Sequence, residues 1–123
     1  MKKQLGNILA NGVFRVNGSL WVEGNGTRFF GPGPVELLQL IEETGSINQA
    51  AKKMGMSYKK AWEIVNRLNE TVGSTMVVTA TGGEKGGGSS ISGEAKQLIE
   101  WYVSLRERFK QFMEEETARV TQR

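Results

Sequence analysis

In the 24 residues from Ser46 to Asn69, Tyr58, Lys59, Lys60, Glu63 and Asn66 recur at spacings that bring them on or near one side of a helix. Their chemistry suits the edges of nucleic-acid bases, since lysine matches guanine O6 and N7 and asparagine matches adenine. Ser46, Gln49, Ser57 and Arg67 carry groups better suited to phosphate oxygens, contacts that fix register rather than sequence. Lys52, Lys53, Lys59, Lys60 and Arg67 against the single Glu63 give the stretch +4, while the whole 123-residue chain carries +3. The net positive charge is therefore concentrated here. Charge and periodicity alone fit a helical hairpin with solvated lysines equally well.

Two short helices and a tight turn would position these groups. Ser46 is an N-cap, and Gln49 three residues on completes a capping box; Ser57 repeats the start signal. Gly55 between them suits the left-handed conformation that ends a helix. With helices over 47–54 and 58–68, Ile47, Ala50, Ala51 and Met54 form one apolar face and Ala61, Ile64, Val65 and Leu68 the other. Ala50 and Ala51 permit a close crossing, and a basic second helix after such a crossing is the helix-turn-helix arrangement.

Composition removes other chemistries. The chain has no cysteine and no histidine, which excludes disulfides, thiolate nucleophiles, Ser-His-Asp catalysis and the ordinary zinc sites. Carboxylates and lysines remain, without a constellation that points to acid-base work. The expectation is a protein that is not an enzyme and needs no cofactor or metal. No apolar run approaches the roughly 20 residues that span a bilayer, and no secretory leader follows Met1-Lys2-Lys3, so a cytoplasmic location without membrane contact is expected.

Around the helix pair, Val13 to Glu23 is rich in strand formers, and Asn17-Gly18 predicts a hairpin turn or, failing that, a bend in one strand. Gly24-Asn25-Gly26 predicts a second turn, with Thr27 to Phe30 returning as a short strand. Pro34 is expected as the first residue of a helix that carries Leu37, Leu38 and Ile41 on one face and ends at Gly45. After Asn69, Thr75 to Thr79 and Ser89 to Ser92 read as antiparallel strands. The glycine-rich Thr81 to Gly88 between them is a flexible tip, or wing, in which Lys85 suits a phosphate; a linker remains an alternative. The loop lacks the Gly-Lys-Ser/Thr ending of a nucleotide P-loop.

Ser92 caps a last helix in which Ala95, Leu98, Tyr102, Leu105, Phe109 and Phe112 recur with a period near 3.5. A helix from Glu94 to Met113 is about 30 Å long. Its far end would project beyond the rest, so Leu98, Tyr102, Leu105, Phe109 and Phe112 are the expected homodimer stripe; folding back on its own domain is the alternative. Trp62 fits either a core position under the wing or a DNA-backbone contact.

Phe30-Gly31-Pro32-Gly33, Thr44-Gly45-Ser46-Ile47, Ala50-Ala51, Gly55-Met56-Ser57-Tyr58-Lys59, Ala61-Trp62 and Thr81-Gly82-Gly83 with Gly86-Gly87-Gly88 together resemble the N-terminal DNA-binding domain of ModE-type molybdate-responsive transcription regulators. The likeness covers about Val13 to Leu105. It implies a winged helix-turn-helix that binds double-stranded DNA and dimerises through its terminal elements, with 58–68 as recognition helix. The family's molybdate-binding domains follow the winged helix, and this chain stops at Arg123, so molybdate binding is not carried over.

The expected fold is thus α+β within one domain: an extended segment over 1–30, helix-turn-helix plus wing over 34–92, and a long helix over 93–123. The expected function is a sequence-specific transcription regulator. An oxyanion- or metal-responsive binding protein, or an adaptor that uses the last helix for hetero-assembly, is the alternative.

Overall fold

A computed structural model describes residues 4–80 and 88–121. In chain order the elements are α1 (Leu5–Ile8), β1 (Val22–Gly24), β2 (Thr27–Phe30), α2 (Pro32–Thr44), α3 (Ile47–Lys53), α4 (Tyr58–Val72), β3 (Val77–Thr79), β4 (Ser89–Ile91) and α5 (Gly93–Thr121). The chain divides into two compact units, Trp21–Tyr102 and Met1–Leu20 with Val103–Arg123, so that α5 contributes to both.

In the Trp21–Tyr102 unit, α2 packs on α3, β2 and β4, and α4 packs on α3 and β2. The core is apolar throughout: Phe30, Leu37, Leu38, Ile41, Val65, Leu68, Met76 and Tyr102 are fully buried. Ala50, Ala51 and Ala61 are also buried, as expected where two helices cross with little room for side chains. Met54 and Ile64, placed on the apolar faces from spacing, are only half-buried at the margins.

Local signals set most of the helix ends. The Ser46 hydroxyl accepts from the Gln49 N–H at 3.1 Å. The reciprocal half of the expected capping box is not formed, because the Ser46 N–H donates instead to Thr44 Oγ1 at 3.2 Å. Gly55 takes the positive φ anticipated for it, 70°, and Gly45, where α2 ends as expected, takes 72°. Helix α2 starts at Pro32, two residues before the expected Pro34: the first-turn N–H groups of a helix have no intrahelical partner, so both prolines are accommodated there. Helix α4 runs four residues past Leu68, since no breaker occurs before Gly73, which caps it at φ 74°.

Of the two turns expected in the N-terminal segment, the second forms a hairpin and the first does not. The hairpin turn is Asn25-Gly26, with φ of 54° and 80°, and it pairs Gly24 with Thr27 and Glu23 with Arg28. Asn17-Gly18 is not a hairpin turn, and residues 13–21 form no strand. In the unit containing them, the Val16 N–H donates to Thr117 Oγ1 on α5 at 2.8 Å, and Gly18 lies against the Phe109 ring. The Val16 N–H is thus satisfied by a side chain on α5 rather than by a strand partner.

Strands β3 and β4 pair antiparallel, Val77 with Ile91 and Thr79 with Ser89. Three hydrogen bonds fix their base. Asn69 Oδ1 accepts from the Met76 N–H at 2.7 Å, the Ala80 N–H donates to the Gly88 carbonyl, and the Ser89 N–H donates to the Gly45 carbonyl, both at 2.8 Å. Asn69→Ala leaves the Met76 N–H of a buried residue without its acceptor, and a loss of about 1–3 kcal/mol in urea unfolding is expected. A loss within error would mean that water replaces the amide. The glycine-rich tip at 81–87, with Lys85, lies outside the described residues.

Ser92 caps α5, accepting from the Ala95 N–H at 3.1 Å. The helix runs over Gly93–Thr121, 29 residues, as the long helix expected over 93–123. Tyr102, expected on the dimer stripe, is fully buried in its own unit, 5.5 Å from Phe30 in an edge-on arrangement. Its period on α5 is right, but the face it shares with Ala95 and Ile99 points into the core.

Candidate nucleic-acid interface

Helix α4 is an amphipathic cylinder whose two sides are settled by burial. Ala61, Val65 and Leu68 face the core with no exposure. Opposite them on a 3.6-residue repeat lie Lys59, Glu63 and Asn66, all exposed. Ser57 starts the helix, its Oγ accepting from the Lys60 N–H at 3.0 Å. The hydroxyl proton is left over by that bond, as it is at Ser46, and each can still donate to a phosphate oxygen. The N-cap role and a phosphate contact are therefore compatible at both serines.

The remaining candidates divide between the two flanks of α4. On one flank Tyr58, 51% exposed, stands edge-on to Trp62 at 6.2 Å. These two rings share an open cleft of about 350 Å³ with Ser46 and Asn48 at the start of α3 and with Thr79 and Ser89 from β3 and β4. Trp62 is half-buried there, a wall of the cleft rather than a core residue. On the other flank Lys60 and Arg67 are exposed and line a second cleft, of about 250 Å³, against the β1–β2 hairpin. Gln49 is exposed on α3.

No carboxylate forms an ion pair with Lys59, Lys60 or Arg67 among the described residues. Their charge is thus available to an outside anion. The structure brings Ser46, Tyr58 and Trp62 together at one cleft and Lys60 and Arg67 at the other, with Lys59, Glu63 and Asn66 on the crest between them.

Arg28 and Trp21, which also line the second cleft, stand outside the sequence candidates. The expected Gly24-Asn25-Gly26 turn already places Arg28 on the returning strand Thr27–Phe30; what spacing does not give is its position beside Lys60 and Arg67.

Two helices joined by a four-residue corner, with the second presenting an exposed polar and basic crest, define a helix-turn-helix domain. Residues 34–85 match the family described as bacterial regulatory helix-turn-helix protein, lysR family. The chain is 42% identical over 77 residues to the transcriptional regulator ModE of Yersinia pestis, covering 63% of this chain and 29% of that protein. It is 40% identical over 77 residues to the DNA-binding transcriptional dual regulator ModE of Escherichia coli K12, with the same coverage. Over 84 residues it is 40% identical to the molybdenum-pterin-binding protein MopB of Rhodobacter capsulatus, covering 68% of this chain and 31% of that protein. The matched stretch thus spans under a third of these relatives. Within that stretch, the chain carries a helix-turn-helix domain similar to the corresponding part of these ModE proteins.

Proposed function

We propose that this protein is a sequence-specific, DNA-binding transcription regulator of the ModE type, without enzymatic activity, acting as a homodimer in the cytoplasm. The observation that carries the reading is the crest of α4: Lys59, Glu63 and Asn66 exposed along one line, directly opposite a fully buried face, in a domain matched to regulatory helix-turn-helix proteins. In this reading α4 enters the major groove. Lys59, Lys60, Glu63, Asn66 and Tyr58 reach base edges, while Ser46, Gln49, Ser57 and Arg67 hold phosphates. The β3–β4 pair is the stem of a wing in this reading.

Support for the homodimer comes from apolar side chains left in water. In the unit built from the chain ends, Leu5, Ile8, Val13 and Phe14 are exposed, as is Phe112 on α5, while Leu105 and Phe109 are half-buried. Leu98 is half-buried in the other unit. A collection of this size on a small chain marks an interaction surface, and a second copy would double the number of DNA contacts and give them two-fold symmetry.

Selection of duplexes from a random pool, followed by anisotropy titration of the winner and a scrambled duplex across a salt series, tests the reading. A preference of about 10³-fold or more, and two chains per duplex, are expected. Equal affinity for the two duplexes would overturn sequence-specific recognition.

A further inference from the structure

We infer that the β1–β2 hairpin, which precedes the helix-turn-helix, is itself part of the DNA-binding surface: Arg28 contacts a backbone phosphate beside α4, and Trp21 holds its guanidinium in place. The inference rests on the DNA-binding reading above and adds an element to it.

Three observations carry it. First, Arg28, Lys60 and Arg67 come from two separate elements and line one cleft of about 250 Å³, and no acidic side chain lines it with them. None of the three has an ion-pair partner among the described residues. A cleft lined by three cations and no carboxylate favours an anion, and Arg67, which holds a phosphate in the reading above, places the duplex backbone on this flank when the crest sits in a groove about 12 Å wide.

Second, Arg28 is not free to wander. Its guanidinium carbon lies 5.5 Å from the centre of the Trp21 ring, within cation–π range. A cation–π contact does not use up the guanidinium N–H donors, which can still serve a phosphate oxygen.

Third, the indole is seated by the backbone. A Cβ added at Gly31 would fall 2.5 Å from Trp21 ring atoms, so the ring lies directly on the glycine that caps α2. Gly31 has an extended φ of −171°, and its lack of a side chain serves this close approach rather than an unusual backbone. The sequence from Trp21 through Gly31 thus fixes one cation beside the helix that reads bases.

The hairpin and the β3–β4 pair then stand on opposite flanks of α4, one for each backbone that borders the groove. A phosphate contact predicts a change in salt dependence without a change in sequence preference.

Arg28→Gln in the intact chain is expected to reduce affinity several-fold on the selected and the scrambled duplex alike, and to lower the slope of log K against log salt by about 0.9 per protomer. Arg28→Lys should keep the slope, because the charge is retained. Trp21→Leu should lower it in part, an effect that a merely structural role would not produce at unchanged thermal midpoint. An unaltered slope in Arg28→Gln, with Lys59→Ala still discriminating between the duplexes, would overturn the hairpin's role and leave the α4 reading intact. Loss confined to the selected duplex would also overturn it, by making Arg28 a base reader. Failure of the parent chain to bind any duplex would instead remove the DNA-binding reading on which both rest.

Discussion

Phe30→Ala is expected to lower the free energy of unfolding by about 3–5 kcal/mol. Phe30 is fully buried at the end of β2, the point at which the first hairpin hands the chain to α2. Its ring meets Tyr102 edge-on, with an interplanar angle of 84°, and Phe29 at 5.9 Å. Truncation removes the burial of a whole ring and leaves a cavity that rigid helices on either side cannot close. An edge-to-face pair adds about 0.5–1.5 kcal/mol beyond area. Against a typical total of about 5–15 kcal/mol, the variant would be partly unfolded at modest urea concentrations. Chemical denaturation with a far-ultraviolet signal gives the value directly. A change below about 1 kcal/mol would show that the ring contributes little, contrary to its burial and its contact with Tyr102.

Lys59→Ala is expected to cost about 1–3 kcal/mol on the selected duplex, or a factor of roughly 5–150 in affinity. Lys59 stands on the crest of α4 within one turn of its start, and it has no ion pair among the described residues. On a scrambled duplex the same substitution should remove only the general attraction of one cation. The difference between the two losses isolates base reading. Parallel losses would move Lys59 to the phosphate class and leave Glu63 and Asn66 as the readers of the crest. Because Lys59 is exposed, its removal should leave the thermal midpoint nearly unchanged, which keeps a binding defect from being confused with unfolding.

These two residues illustrate different routes from sequence to structure. Lys59 could be placed from the chain alone: Ser57 starts the helix, Ala61, Val65 and Leu68 define its buried side, and the rest follows from 3.6 residues per turn. Phe30 was legible as a strand residue, but its pairing with Tyr102 joins positions 72 residues apart. Periodicity could show that Ala95, Ile99 and Tyr102 share a side of α5 without saying what that side would meet. Tyr102 was consequently assigned to a dimer stripe when a core awaited it.

The first hairpin gives the sharpest contrast. Two Asn-Gly pairs each carry a strong turn signal, and both were expected to turn the chain. Asn25-Gly26 is the one that forms, with Thr27 to Phe30 returning beside β1, while the segment around Asn17-Gly18 gives its Val16 N–H to Thr117. That acceptor lies 101 residues away. No window around Asn17 contains it, and the position of Arg28 beside Lys60 and Arg67 depends on the same outcome.

The amino-acid order by itself determined the caps at Ser46 and Ser57, the positive φ at Gly45 and Gly55, and the polar crest of the helix between Tyr58 and Leu68. Each depends on partners within four residues, whose separation a helix sets without help. Tertiary structure decided which turn closes the first hairpin, which side of α5 is core, and which cations share a cleft. Those outcomes are competitions among contacts distant in the chain, and only the folded arrangement of all the elements ranks them.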